Sequence, residues 1–327
     1  MRNLIFLSIL FVALGCASIP QAAKRVSVRV PVGPGPEDMV LDTVSGAARL
    51  LISCSPRRPD QKGAAGIYAL DMRTEEVTNL PRKGEPEAIL FRPHGISLSC
   101  SEEGCYLYVI SHEESDVKHL VLKYRVEKDH LQFMRKYAHP LLTSPNALTA
   151  MEDGSFYVSN DADKAGDWKE MILKLKRSQL VYCDGEANWQ VAAEDALAMG
   201  NGIVHKDDVA YVATTRGGKL YQYELEAGKL SNRQLLAKAK GADNLRFYDD
   251  ELLLPVHLKS FAFIKHVKDS TNHSPSVVYQ IDPQTKSRRV IYANKGDEIS
   301  ATSTAIIYQG HLYLSQVFDS FILKVNL

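Results

Sequence analysis

The chain has 327 residues, 45% of them hydrophobic, and its 39 basic side chains balance 39 acidic ones. That composition is ample for a packed core. With no basic surplus or stripe to displace phosphate counterions, it excludes a nucleic-acid binder.

At the N-terminus, Arg2, an apolar run at residues 4–14, and then Gly15 and Cys16 read as an export signal. The run is too short to span a bilayer. Leu14-Gly15-Cys16 is similar to a bacterial lipoprotein signal, in which Cys16 becomes the lipid-bearing first residue of the mature chain. Ala13, where a larger aliphatic residue is usual, keeps plain cleavage as the alternative. Residues 1–23 are therefore set apart from 24–327, which are expected to form a single domain. The expected localisation is periplasm or outer membrane, with a lipid anchor through Cys16, in a bacterium, and the exterior otherwise. No second apolar run of membrane length follows.

An internal repeat fixes the fold class. Short apolar strands recur six times: Leu50-Leu51-Ile52-Ser53, Leu107-Tyr108-Val109-Ile110, Phe156-Tyr157-Val158-Ser159, Ala210-Tyr211-Val212-Ala213, Leu252-Leu253-Leu254-Pro255 and Leu312-Tyr313-Leu314-Ser315. Each is followed by a strand of alternating character, such as Leu220-Tyr221-Gln222-Tyr223 or, in the third unit, Ile172-Leu173-Lys174-Leu175. Each is preceded by a strand that begins at a polar cluster. Fourth strands, for example residues 132–136 and 289–292, complete most units. The fold expected is all-β, a six-bladed β-propeller, in which residues 24–32 supply the missing edge of the last blade. A solenoid is the competing architecture, and the supplied edge strand favours closure. Cys100 and Cys105 flank Ser101-Glu102-Glu103-Gly104, a tight turn that lets them meet across a hairpin; a disulfide and two reduced thiols both remain open.

Blade geometry converts the repeat into a site. Inner-strand starts converge on the axis at one face, and they are Glu37-Asp38, His94, Asn146, Asn201, Asp243-Asn244 and Ser303-Thr304. Glu37, Asn146, Asn201, Asp243 and Asn244 offer oxygen donors only, which suits Ca2+ better than zinc. Singly, each is an ordinary turn residue; their common phase makes them candidate ligands. His94 shares the ring, and His112 ends the second strand of the same blade, so the two form a candidate catalytic pair able to activate water for ester or lactone hydrolysis. His257 reaches the same face from blade five as a substrate-binding or structural residue. Residues 258–276 carry Phe261-Ala262-Phe263-Ile264, an amphipathic insertion expected over the site. The remaining histidines, His119, His130, His139, His205, His266, His273 and His311, are expected at the surface. Asp71 and Asp282 read as turn residues. There is no nucleophile elbow, phosphate loop or dinucleotide fingerprint.

Gly35-Pro36-Glu37-Asp38, Phe91-Arg92-Pro93-His94-Gly95-Ile96-Ser97, Val109-Ile110-Ser111-His112, Tyr157-Val158-Ser159-Asn160-Asp161, Asn201-Gly202-Ile203 and Asp243-Asn244 resemble the paraoxonase and arylesterase family of calcium-dependent lactonases. The resemblance runs from about Val32 onward. It implies that Glu37, Asn146, Asn201, Asp243 and Asn244 hold the catalytic calcium, that His94 and His112 form the family's histidine dyad, and that His257 is a further active-site histidine. It also implies a second, structural calcium at Asp38 and the carbonyl of Ile96. There the chain departs from the pattern, because Ala147 stands where the family has another aspartate. The substrate loop at residues 55–62, with Arg57 and Arg58, does not match. The expected partner is a small-molecule lactone or ester, with sugar lactones and acyl homoserine lactones both open. The competing reading is a non-catalytic, calcium-stabilised propeller that binds a ligand or an envelope partner.

Overall fold

The computed structural model describes residues 18–86, 89–114, 118–164, 173–186 and 188–327. Residues 1–17, which hold the apolar run of the expected export signal and Cys16, lie outside them. Near-continuous apolar strands such as Arg49–Cys54 and Phe156–Asn160, buried at every position, give each unit two faces to cover, and the strands pair, antiparallel but for one edge, into six sheets, the blades of a β-propeller. Blade 1 runs Pro36–Asp42, Arg49–Cys54, Gly66–Asp71 and Val77–Asn79. Blade 2 contains the longest described strand, Gly104–Glu114, and gains a short parallel edge from Arg82–Lys83. Blades 3, 4 and 5 begin at Pro145–Ala150, Gly200–Lys206 and Arg246–Tyr248. In blade 6, Thr302–Tyr308, His311–Gln316 and Phe321–Asn326 are completed by Ser27–Pro31, paired antiparallel to the last strand from Ser27 opposite Val325 to Pro31 opposite Phe321. The expected closure by an N-terminal edge is thus observed.

The apolar core is divided among the interfaces between successive blades. Between blades 1 and 2 lie Leu51, Ile67, Ile96, Leu107 and Val109, all with no exposure. The seam where the ring closes packs Met39, Leu50 and Ile52 of blade 1 against Val30, Ile306, Tyr313 and Ile322 of blade 6. Apolar burial at this seam opposes ring opening at roughly 25 cal/mol per Å².

Blade 3 corrects one expectation. Its third strand is Leu180–Cys183, aligned with Phe156 opposite Cys183, not residues 172–175. Residue 172 lies outside the described residues, and Leu173 is exposed. Leu180, Val181 and Cys183 are fully buried, so burial selects between two segments of similar alternation. Cys100 and Cys105 form a disulfide across the blade 2 hairpin. Asp71 and Asp282 accept turn amides from Arg73 and Thr74, and from Gln284 and Thr285, as expected.

Candidate functional site

Five inner strands share one irregularity at the same phase. Their register slips between Pro36 and Asp38, Pro93 and Ile96, Pro145 and Ala147, Gly200 and Ile203, and Thr302 and Ala305. A bulge of this kind leaves one residue unpaired and re-aims its side chain, and the residues so released are Glu37, His94, Asn146, Asn201 and Ser303. In blade 5, Asp243 and Asn244 occupy the same place just ahead of the inner strand. Serines on the second strands then hold the bulged backbone of the next blade. Ser53 donates to the His94 carbonyl (2.5 Å), Ser159 to the Asn201 carbonyl, and Ser315 to the Glu37 carbonyl (3.0 Å). Two glycines permit the convergence. A Cβ on Gly95 would lie 2.3 Å from the Asn146 carbonyl oxygen, and one on Gly202 would lie 2.6 Å from that of Asp243.

The side chains meet on the axis, nearly all buried: Glu37 3%, Asn146 7%, Asn201 5%, Asp243 5% and Asn244 1% exposed. Four of their oxygens, Glu37 Oε2, Asn146 Oδ1, Asn201 Oδ1 and Asn244 Oδ1, accept no hydrogen bond from the protein. For two amides the neighbours dictate this. Asn201 Nδ2 donates to Thr215 Oγ1 (3.0 Å), whose own proton goes to the Ala242 carbonyl (2.8 Å). Asn244 Nδ2 donates to Glu37 Oε1 (3.0 Å) and Thr304 Oγ1 (3.1 Å). Each amide nitrogen is thereby spent on an acceptor, and the amide oxygen is left without a donor. Unsatisfied buried acceptors normally cost about 1–3 kcal/mol each; Glu37, Asn146 and Asn201 line one cavity and Asn244 bonds to Glu37, so the set is a candidate cradle for a cation. The donors are hard oxygens and fit Ca2+. Among the described residues, no group of three or more His, Cys, Asp and Glu side chains gathers as a metal site. Burial, reinforced by Asp38 and Asp243, pushes the Glu37 carboxyl up to about 8; the protein alone leaves this negative charge under-compensated.

His94 reaches Glu37 Oε1 at 3.7 Å through Nε2. Its Nδ1 lies 3.1 Å from His112 Nε2, and His112 Nδ1 lies 2.7 Å from His119 Nδ1. The rings stand edge to face at both contacts. His119 therefore departs from its expected surface position: it is 7% exposed and directly opposite His112 in the strand pairing. Burial, then the neighbouring His119 and Arg57, lowers His112 to about 3; burial, then Arg57 and the other histidines, holds His94 well below its ordinary range. Arg57, in the loop that matched no motif, places Nη1 3.2 Å from His94 Nδ1.

His257 Nε2 pairs with Asp243 Oδ2 at 2.5 Å, and its ring lies 4.6 Å from that of Phe263. Phe263 belongs to helix α1, Ser260–Lys268, the ordered form of the expected insertion. With Met199, Thr215, Arg216, Val317, Ser260 and Ile264, Phe263 encloses a cavity of ≈ 200 Å3 whose floor is Glu37, His94, Asn146, Asn201 and Asp243. Arg58 ties α1 down by donating to the His266 and Val267 carbonyls and pairing with Asp319 at 3.0 Å. His266, also expected at the surface, is 1% exposed under this anchor.

A ring of six blades with a polar axial floor, an imidazole chain and an apolar roof is the build of a propeller hydrolase. Residues 53–324 match the family described as Arylesterase, and the chain belongs to this family of carboxylic-ester hydrolases. Serum paraoxonase/arylesterase 1 of Rattus norvegicus is 29% identical over 274 residues, 80% of this chain and 76% of that protein. Serum paraoxonase/lactonase 3 of Homo sapiens is 23% identical over 268 residues, with the same shares of 80% and 76%. Among solved structures, a gluconolactonase from Xanthomonas campestris matches with a TM-score of 0.55 at 14% identity, over 94% of this chain and 99% of that one; this likeness speaks for the fold alone.

Proposed function

We propose that this protein is an exported, calcium-dependent hydrolase of lactones and aryl esters, with its reaction centred on the axial ring. The observation that carries the reading is the set of four buried oxygens, from blades 1, 3, 4 and 5, that accept no hydrogen bond from the protein. Glu37, Asn146, Asn201, Asp243 and Asn244 would hold the ion. When bound, calcium would supply Lewis-acid polarisation of a substrate carbonyl and counter-charge for the oxyanion that follows attack.

The protein's own residues supply the proton handling. A base-competent His94 offers a bare Nε2 to the cavity and carries its proton on Nδ1, where His112 Nε2 accepts it at 3.1 Å. His112 then donates from Nδ1 to His119 Nδ1 at 2.7 Å, so all three rings stay neutral, as their burial favours. Arg57 only donates, and at 3.2 Å from His94 Nδ1 it favours the opposite order, with the proton on Nε2. Phe263, Ile264, Met199 and Val317 would hold the apolar part of the substrate and exclude water. His257, oriented by Asp243, would contact the substrate from the roof side. The apolar run at residues 4–14 supports export, and the Cys100–Cys105 disulfide agrees with an oxidising compartment.

The test is hydrolysis of phenyl acetate, an aliphatic δ-lactone and a long-chain acyl homoserine lactone, with calcium and after EGTA. Calcium-dependent turnover supports the reading and ranks the substrates. A folded, calcium-loaded protein with no turnover would favour a binding propeller instead.

A further inference from the structure

Beneath the ring, a second cluster of axial oxygens has a different occupant. Asp38 is 1% exposed, and every side of its carboxylate is engaged. Oδ1 accepts from the Met39 amide (2.8 Å), Thr304 Oγ1 (2.8 Å) and Arg246 Nη2 (2.6 Å), and Oδ2 accepts from the Ile96 amide (2.8 Å). Arg246 reaches across the axis from blade 5. The same Nη2 donates to the Ile96 carbonyl (3.1 Å), Nε donates to the Met39 carbonyl (2.7 Å), and Nη1 returns to the Leu245 carbonyl (2.7 Å). One guanidinium thus spans a carboxylate and backbone carbonyls of blades 1 and 2.

Asp38 and the Ile96 carbonyl are the two groups to which the sequence resemblance assigns a second calcium. They do not fit that ion here. Calcium takes six to eight oxygens, whereas Ala147 contributes a methyl group where a third ligand is needed. The oxygens that remain already receive Arg246 at hydrogen-bonding distance. A cation and the guanidinium cannot share them, and the single charge on Asp38 is already matched.

We infer that Arg246 is a built-in structural cation that replaces a second calcium, so that the axial tie between blades 1, 2 and 5 is independent of metal. The planar fork suits the role because it satisfies a carboxylate and several carbonyls at once, as a lysine ammonium does less well. The inference concerns stability and stoichiometry; only the expected count of one ion rests on the proposed calcium ring.

The experiment is equilibrium dialysis against calcium with metal analysis of the full chain, followed by thermal unfolding in EGTA of wild type, Arg246→Ala and Arg246→Lys. The expected results are one ion per wild-type chain and a melting temperature lowered in EGTA by roughly 5–15 °C in Arg246→Ala, as for a broken buried ion pair, with a smaller loss in Arg246→Lys. Two tightly held ions in the wild type would overturn the inference, and so would an Arg246→Ala protein that melts in EGTA at the wild-type temperature. If Arg246→Ala does not fold, the lysine variant and the wild-type count decide. No bound ion, together with the expected loss in the variants, would refute the calcium ring and leave Arg246 as the axial cation.

Discussion

His112 Nδ1 and His119 Nδ1 lie 2.7 Å apart on adjacent strands of blade 2, directly opposite one another in register. At this separation one nitrogen carries a proton and the other accepts it, so His119 sets the proton order of His112 and, through it, of His94. In the proposed mechanism His119 is thus a positioning residue. Replacing it with Phe should lower kcat by about two- to tenfold, the worth of one hydrogen bond of about 0.5–1.5 kcal/mol, with KM within twofold. Asn, whose side chain can occupy the Nδ1 position, should restore part of the rate. Equal kcat in all three proteins would show that His119 only packs.

Arg57 bears on the same chain from the other end. Because its Nη1 donates to His94 Nδ1 at 3.2 Å, it stabilises the order in which Nε2 is protonated. Arg57→Met should therefore raise kcat, by no more than about tenfold on the same hydrogen-bond scale. Steady-state kinetics on a neutral lactone check this; a tenfold fall would mean that the guanidinium itself assists the substrate.

Arg58 anchors the roof. It donates to the His266 and Val267 carbonyls, in the last turn of α1, and its guanidinium lies 4.5 Å from the Phe318 ring centre. Arg58→Ala should free α1, which carries Phe263 and Ile264, and raise KM for long-chain substrates several-fold while changing KM for phenyl acetate little. The ratio of the two KM values is the readout, and an unchanged ratio would detach α1 from substrate selection.

His266 gives the stability a pH dependence. Its Nδ1 donates to the Asn272 carbonyl (2.7 Å), and burial is the main cause that lowers it from 6.5. The unfolded chain then binds more protons than the folded one, so this contribution to stability is complete above about 6.5 and is lost as pH falls below it. His205, lowered mainly by burial, acts in the same direction. Melting temperatures from pH 7.5 to 5 should decline, and His266→Asn, which can keep a donor near Asn272, should flatten part of that decline. Parallel curves would remove His266 from the account.

What the sequence revealed, and what it concealed, follows from periodicity. Glu37, His94, Asn146 and Asn201 stand at one phase of a repeat, so their convergence could be read before any coordinates. His119 could not, because alternation along Lys118-His119-Leu120 marks it as a strand residue but does not number the register that sets it opposite His112. Arg57 lies in a loop without period. Arg246 finds its partners 208 and 150 residues away, a convergence that only ring closure produces. Residues 172–175 and 180–183 carry similar patterns, and packing against blade 3 decides between them.

The calcium dependence of lactone turnover tests the central claim most directly, measured as rate against free calcium for wild type and Asn201→Ala. Removing one ring oxygen should shift the half-activating calcium concentration upward by about tenfold or more, with EGTA abolishing the rate in both proteins. Full wild-type turnover in EGTA, or coincident calcium curves for the two proteins, would contradict the account.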